Sequence, residues 1–237
     1  MRHKIITIML LGVLAAAAPM SALAADAKVS ADEIAFAADF SQIDEKAAGE
    51  EDNTLADGWK QIGPYWYFYE GGKPAVGWKL IDGKWYFFAA NGRMLNSWLY
   101  QGGYNYYLGP VGDMAVGWKQ IHDSWYYFDE DGVMQTDWQK IDGKWYNFDT
   151  GGKMRTGWLH DAGCTYYLNP AGDMAIGWKE VDGDWYYFDD SGAAVTDWLL
   201  SGGKWFYFDY IDYTMETGSR EIDGANYNFR EDGSLIE

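Results

Sequence analysis

Gly117 to Asp137 reads GWKQIHDSWYYFDEDGVMQTD, and the pattern of this stretch returns along most of the chain. Its leading tryptophan recurs at Trp59, Trp78, Trp98, Trp118, Trp138, Trp158, Trp178 and Trp198, at intervals of 19 and then 20 residues. A ninth, faded copy begins at Gly218-Ser219, with Ser219 in the tryptophan position. We number these units 1 to 9. All fourteen tryptophans fall inside the array. A fixed period of this size is the mark of a solenoid, because one unit is too small to enclose a core and must stack on its neighbours.

Each unit reads as a hairpin. In unit 2, Leu80-Ile81 leads into Asp82-Gly83 and then Lys84-Trp85-Tyr86-Phe87-Phe88. Asp-Gly between two aromatic or β-branched runs predicts a two-residue type I′ turn, and it recurs at Asp142-Gly143, Asp182-Gly183 and Asp223-Gly224. Such a turn fixes the register, so Ile81 faces Lys84 and Trp78 faces Phe87. Alternation then places Trp78, Leu80, Trp85 and Phe87 on one side and Lys79, Tyr86 and Phe88 on the other. A lone hairpin is barely stable in water, so both faces need neighbours. A second turn with Gly92, Gly112, Gly132, Gly152, Gly172 or Gly192 carries the chain onward. Met94, Met114, Met134, Met154 and Met174 follow two residues later.

The aromatic content exceeds what packing demands, since Val or Leu could fill a seam. Six units carry two tryptophans on one hairpin face. The residue after the second tryptophan position is aromatic in all nine units, and it lies on the opposite face. Stacking therefore brings it against the preceding unit's tryptophan pair. Two indoles, a phenol and a methionine floor make a box that attracts a diffuse cation through the ring quadrupoles, worth ~0.5–2 kcal/mol per well-placed ring. Packing alone remains the alternative reading of the same rings.

At these residues GWKQIHDSWYYFDEDGVMQTD, GWKEVDGDWYYFDDSGAAVTD and GWKLIDGKWYFFAANGRMLNS resemble the choline-binding (cell-wall-binding) repeats of Gram-positive cell-surface proteins. The resemblance covers roughly residues 57 to 237. It implies an all-β fold, a left-handed superhelix of hairpins with about three per turn. It also implies choline held between consecutive hairpins by two tryptophans of one unit and an aromatic of the next, with choline-substituted teichoic or lipoteichoic acid as partner. Carried onto this sequence, the boxes are Trp59, Trp66 and Tyr86; Trp78, Trp85 and Tyr106; Trp118, Trp125 and Tyr146; Trp138, Trp145 and Tyr166; Trp178, Trp185 and Phe206; and Trp198, Trp205 and Tyr227.

Three units depart from the pattern. Asn105, Thr165 and Asn226 replace the second tryptophan at intervals of 60 and 61 residues, which superposes a three-unit period on the single-unit one. With three hairpins per turn these units form a stripe along one side, free for another contact or left by an old duplication.

The ends and the charge bound the rest. Residues 1–24 read as a secretory signal: Arg2, His3 and Lys4 precede an apolar run from Ile5 to Ala18 and an Ala22-Leu23-Ala24 cleavage site. The apolar run is shorter than the ~20 residues of a membrane span. Residues 25–57 form an acidic, Ala-rich linker in which Ser30 and Glu33 make a capping-box pattern before Phe36, Phe40 and Ile43 at helical spacing. The array occupies 58–237. Without the signal the chain has 16 basic against 36 acidic residues, a formal charge of −20, which argues against a nucleic-acid partner. The single cysteine, Cys164, forms no internal disulfide, so packing must stabilise the fold.

No catalytic constellation stands out, and no cofactor or metal is expected. His122 and His160 lack a Cys or Ser partner at useful spacing. The Asp residues sit in turns, where they are the ordinary choice. The expectation is a non-catalytic, exported protein attached without covalent linkage to the cell surface. Two other readings use the same sequence: a glucan-binding repeat protein, whose aromatic faces stack on sugars, and a structural adhesin scaffold with a host or surface protein as partner.

Overall fold

The computed structural model describes residues 56–236. The expected signal (1–24) lies outside the described residues, as does all of the linker (25–57) except its last two positions. The described chain contains nineteen β-strands and no helix. It is a solenoid of nine consecutive antiparallel hairpins. Unit 1 pairs β1 (Gly58–Ile62) with β2 (Tyr65–Glu70), extended by the two-residue β3 (Lys73–Pro74). Unit 2 pairs β4 (Gly77–Ile81) with β5 (Lys84–Phe88), and the same two-strand pattern continues to Gly218–Ile222 with Ala225–Phe229 in unit 9.

Local chemistry sets the register. Asp82 and Gly83 have φ of 50° and 78°, and the other three Asp-Gly pairs are likewise left-handed at both positions. Positive φ at both central residues is what a type I′ turn requires. The turn places Ile81 opposite Lys84, Lys79 opposite Tyr86 and Trp78 opposite Phe87, as the sequence predicts. The face carrying Ile81 and Phe88 is buried, at 7% and 0% exposure, while Leu80 and Trp85 on the other face remain exposed.

The units are stitched together through their backbones. After each hairpin the chain turns and returns as a short extended segment that bridges its own second strand, as at Phe88↔Met94. Leu95 N–H donates to Phe87 C=O at 2.8 Å, within the unit, and Met94 N–H donates to Trp66 C=O at 2.7 Å, in the unit before. The same inter-unit bond runs from Met114 to Trp85 and from Met134 to Asn105, and it continues to Leu235 and Trp205. Alternate N–H groups thus serve different units, and hairpin edges that would otherwise stay unpaired are satisfied.

A column of side chains forms the core. Phe88, Leu108, Phe128, Phe148, Leu168, Phe188 and Phe208 recur every 20 residues and are 0–1% exposed. The methionines have a defined place. A Cβ added at Gly132 would lie 2.4 Å from Met114 Sδ, and Gly112, Gly152, Gly172, Gly192 and Gly233 stand in the same relation to the methionine one unit earlier. Glycine is therefore demanded there twice, by the close approach of sulfur and by a positive φ. One pairing is exchanged: Ala194 stands where a methionine would, and one unit later Tyr213, with φ of 66°, stands where the glycine would. Tyr213 packs on the same buried cluster as Ala194.

The residue before each leading tryptophan position has positive φ in all nine units, a demand that composition alone did not reveal. Six are glycines, and the others are Ser97 (95°), Asp137 (59°) and Asp197 (65°). The three-unit period also appears in three ion pairs. Lys84–Asp113, Lys144–Asp173 and Lys204–Asp232 lie at 3.4, 3.4 and 3.0 Å, with the lysines 60 residues apart. Each ties a hairpin turn to the return loop of the next unit. All three are at least partly exposed and screened by solvent, so each contributes little to stability.

Candidate functional site

Of the six sets of aromatic residues expected from the sequence, five come together with all three rings in contact at the seams between consecutive units. In unit 1 the Trp59 and Trp66 rings stand edge to face, with centroids 6.3 Å apart, and Tyr86 of unit 2 meets Trp59 at 4.9 Å. The arrangement repeats for Trp78, Trp85 and Tyr106 (6.4 and 5.0 Å) and for Trp118, Trp125 and Tyr146 (6.3 and 4.8 Å). It holds again for Trp178, Trp185 and Phe206 (6.4 and 4.7 Å) and for Trp198, Trp205 and Tyr227 (6.4 and 4.9 Å).

The two indoles of a pair differ in environment. The first is gripped on several sides: Trp118 meets its cross-strand partner Tyr127 at 5.2 Å, and Tyr146 and Phe148 of the next unit at 4.8 and 5.7 Å. The second keeps a face toward water, with Trp66, Trp85, Trp125, Trp145, Trp185 and Trp205 all 41–46% exposed. Each box thus joins a fixed indole to one with open surface. The cross-strand rings Phe68, Phe87, Tyr127, Tyr187 and Tyr207, which orient the first indole, were not among the expected site residues. Their signal was the hairpin register itself, which sets each opposite a leading tryptophan.

The box of unit 5 is built differently. Trp138 meets Tyr166 at 5.0 Å, but its cross-strand neighbour is the buried Asn147. Its indole N–H donates to Asp161 Oδ2 at 2.9 Å, which sets a carboxylate beside the ring. Lys140 places its Nζ 5.7 Å from the Trp145 centroid, so a cation of the chain already lies over that indole. Units 3 and 6 carry the first indole and the following phenol without a second indole: Trp98–Tyr126 is 5.0 Å and Trp158–Tyr186 is 4.8 Å.

The phenols of Tyr106, Tyr166 and Tyr186 stay neutral across the physiological range. Burial, followed by nearby acids, raises the pKa of Tyr106 and Tyr186 above the ordinary value of 10.0. Burial likewise raises that of Tyr166, with Cys164 the next contributor. A cation entering such a box meets ring quadrupoles, not phenolate charge. The strongly acidic chain supplies a favourable background field for it, with a formal charge of −18 over the whole sequence. Among the described residues no group of three or more His, Cys, Asp or Glu side chains could hold a metal ion, and no helix is long and apolar enough to cross a membrane.

Comparison with known proteins accords with this geometry. The choline-binding repeat model matches residues 75–116, 135–177 and 175–210, and the putative cell wall binding repeat model matches residues 116–134. Choline binding protein F from Streptococcus pneumoniae is similar at 30% identity with a TM-score of 0.58, over 76% of this chain and 87% of that one. The chain belongs to the choline-binding repeat family. As an array of choline-binding repeats it is a binding module of the cell-surface type. CbpJ from Streptococcus pneumoniae shares the fold of these repeats (24% identity, TM-score 0.60, covering 75% of this chain and 93% of that one). The modular autolysin LytC from the same species is 27% identical with a TM-score of 0.52, over 77% of this chain but only 47% of its own. Choline-binding repeats therefore also occur within a longer lytic protein. No match was found among curated protein sequences.

Proposed function

We propose that the chain is a non-catalytic attachment protein that holds choline groups of teichoic or lipoteichoic acid in the aromatic boxes between hairpins. The observation that carries the reading is the repeated pairing of a fixed indole with one left 41–46% exposed, beside an aromatic ring of the next unit. Burying an aromatic side chain is normally favourable by ~1.5–3 kcal/mol. Leaving an indole half open six times in register has a rationale when a ligand completes its burial. A trimethylammonium group has no N–H to donate, so a box of rings satisfies it without a hydrogen-bond acceptor.

Three rings at ~0.5–2 kcal/mol each sum to a few kcal/mol, which corresponds to a Kd of about 1 mM for one box. Tight attachment then comes from number. Several boxes on one array meeting a polymer with many choline groups gain ~10²–10⁴ over a single site. An acidic chain is repelled by a bare phosphate polymer, so attachment rests on the cationic headgroup. An export signal and non-covalent surface attachment complete this reading.

The test is elution of the full chain from a diethylaminoethyl resin, whose tertiary amine mimics choline. Free choline should release the protein, and NaCl at equal ionic strength should not. Calorimetric titration with choline should then give about six weak sites. Trp125→Ala should lower that number by one while leaving the circular dichroism spectrum of the aromatic array otherwise intact. Release by NaCl and choline alike would reduce the binding to simple anion exchange and overturn the reading.

A further inference from the structure

Units 3 and 6 depart from the other units in the same two ways. Each replaces the second indole by a hydrogen-bonding side chain, Asn105 or Thr165. Each also places a planar ring directly across the hairpin from that residue: Tyr100 pairs with Asn105, and His160 pairs with Thr165. In the other seven units the position of Tyr100 and His160 is occupied by Gln, Leu, Lys or Glu. The first indole and the following phenol are retained in both.

Unit 6 carries the change furthest. Trp158 is 44% exposed, the most open of the leading tryptophans. Thr165 Oγ1 lies 3.1 Å from His160 Nδ1 and 3.1 Å from the Tyr213 hydroxyl. Tyr213 comes from the return loop after unit 8, and the Ala194 exchange leaves room for its ring. Its hydroxyl therefore lies at the root of the missing indole. Thr165 has one proton to give. If it donates to Tyr213, the phenol O–H is left over. If Tyr213 donates to it and it donates to His160 Nδ1, the Nε2–H is left over. When both neighbours donate to it, its own O–H remains. Every arrangement keeps one donor for a ligand.

We propose that the boxes of units 3 and 6 are saccharide subsites, each taking a neutral pyranose ring and not a methylated ammonium. A trimethylammonium ion there would lack the second indole and would cover hydroxyl, amide or imidazole groups that it cannot hydrogen-bond, which is unfavourable. A pyranose answers both features. Its C–H face lies on the open indole and its hydroxyls pair with the polar edge, the usual division of labour in a small-molecule site. Neutrality follows from the acidic chain, which repels anionic sugars.

The experiment is saturation-transfer NMR and calorimetry on the full chain with two probes, an N-acetylglucosamine tetrasaccharide and a glucose tetrasaccharide, each at saturating choline. At least one tetrasaccharide should bind with choline present, and Tyr213→Phe should weaken it about fivefold without altering the choline titration. Asn105→Trp, which restores the second indole of unit 3 on an exposed position, should remove one saccharide site and add one choline site. The proposal is overturned if choline displaces the saccharide, or if Asn105→Trp and Tyr213→Phe both bind it as the wild type does. It is also overturned if neither probe binds at millimolar concentration while choline titrates normally. Loss of choline binding itself would count against the attachment reading instead, so the two failures are distinguishable.

Discussion

The exchange of Met–Gly for Ala194–Tyr213 permits a double-mutant cycle whose outcome follows from the packing. At seven seams a Cβ on the glycine would lie 2.1–2.6 Å from its contact, which is the preceding methionine at all of them except Gly92, where it is Pro74; Gly92 apart, methionine and a side chain exclude each other. Ala194→Met alone therefore drives a thioether into the Tyr213 side chain, an overpacking of ~1–3 kcal/mol. Tyr213→Gly alone loses a half-buried ring, about 1 kcal/mol, and the bond to Thr165, another ~1 kcal/mol. It recovers about 1 kcal/mol by releasing a left-handed backbone at φ of 66°, for a net loss of about 1 kcal/mol. The double variant restores the pairing used elsewhere and should lie within about 1 kcal/mol of the wild type. The two substitutions are thus coupled by about 2 kcal/mol in the favourable direction. Urea unfolding followed by tryptophan fluorescence on all four proteins measures this, with amide exchange at Met215 reporting the local seam in case the array unfolds in stages. Additive effects, within about 0.5 kcal/mol, would refute the reciprocal-packing argument.

Three further outcomes follow from the same geometry. Gly132→Ala should destabilise by about 2–4 kcal/mol, because φ is 79° and Met114 Sδ stands 2.4 Å from the new Cβ, and Met114→Ala should recover part of the loss in thermal melts. Ser97→Gly should raise stability by about 0.5–1 kcal/mol, since Ser97 holds φ of 95° where six units use glycine; a lower melting temperature would contradict this. Because burial raises the pKa of Tyr106, Tyr166 and Tyr186, their neutral forms stabilise the fold fully below about pH 10. That contribution is lost as pH rises through the higher folded values. Choline binding and near-ultraviolet dichroism should persist to about pH 10 and fall together above it, so loss of either near neutral pH would be inconsistent with neutral phenol walls.

The acidic loops have a second consequence for conditions. Asp189, Asp212 and Asp232 are held below the usual carboxylate range first by the hydroxyls of Ser191, Thr214 and Ser234. These turns sit in the return segments that carry the inter-unit backbone bonds. Their contribution is present above the ordinary aspartate pKa and declines as pH falls through the lower folded values. The return loops are thus the elements expected to loosen first in acid.

The sequence alone determined the period, the hairpin register and the faces on which the rings lie. These follow from local rules: a two-residue Asp-Gly turn allows one pairing, and strand alternation assigns each side chain to a face. The partners Trp59, Trp66 and Tyr86 could be named because a strict repeat turns one seam into the template for all. Only the tertiary structure decided what passes between units. The Met94-to-Trp66 backbone bond, the sulfur packed on each following glycine, and the burial difference between the two indoles depend on how far each return segment reaches into its neighbour. No local spacing records that distance. The meeting of His160, Thr165, Ala194 and Tyr213 was likewise invisible, since it joins three units across 53 residues and rests on exceptions to the repeat. A periodic pattern predicts what every unit shares; the places where one unit compensates another appear only when the units are stacked.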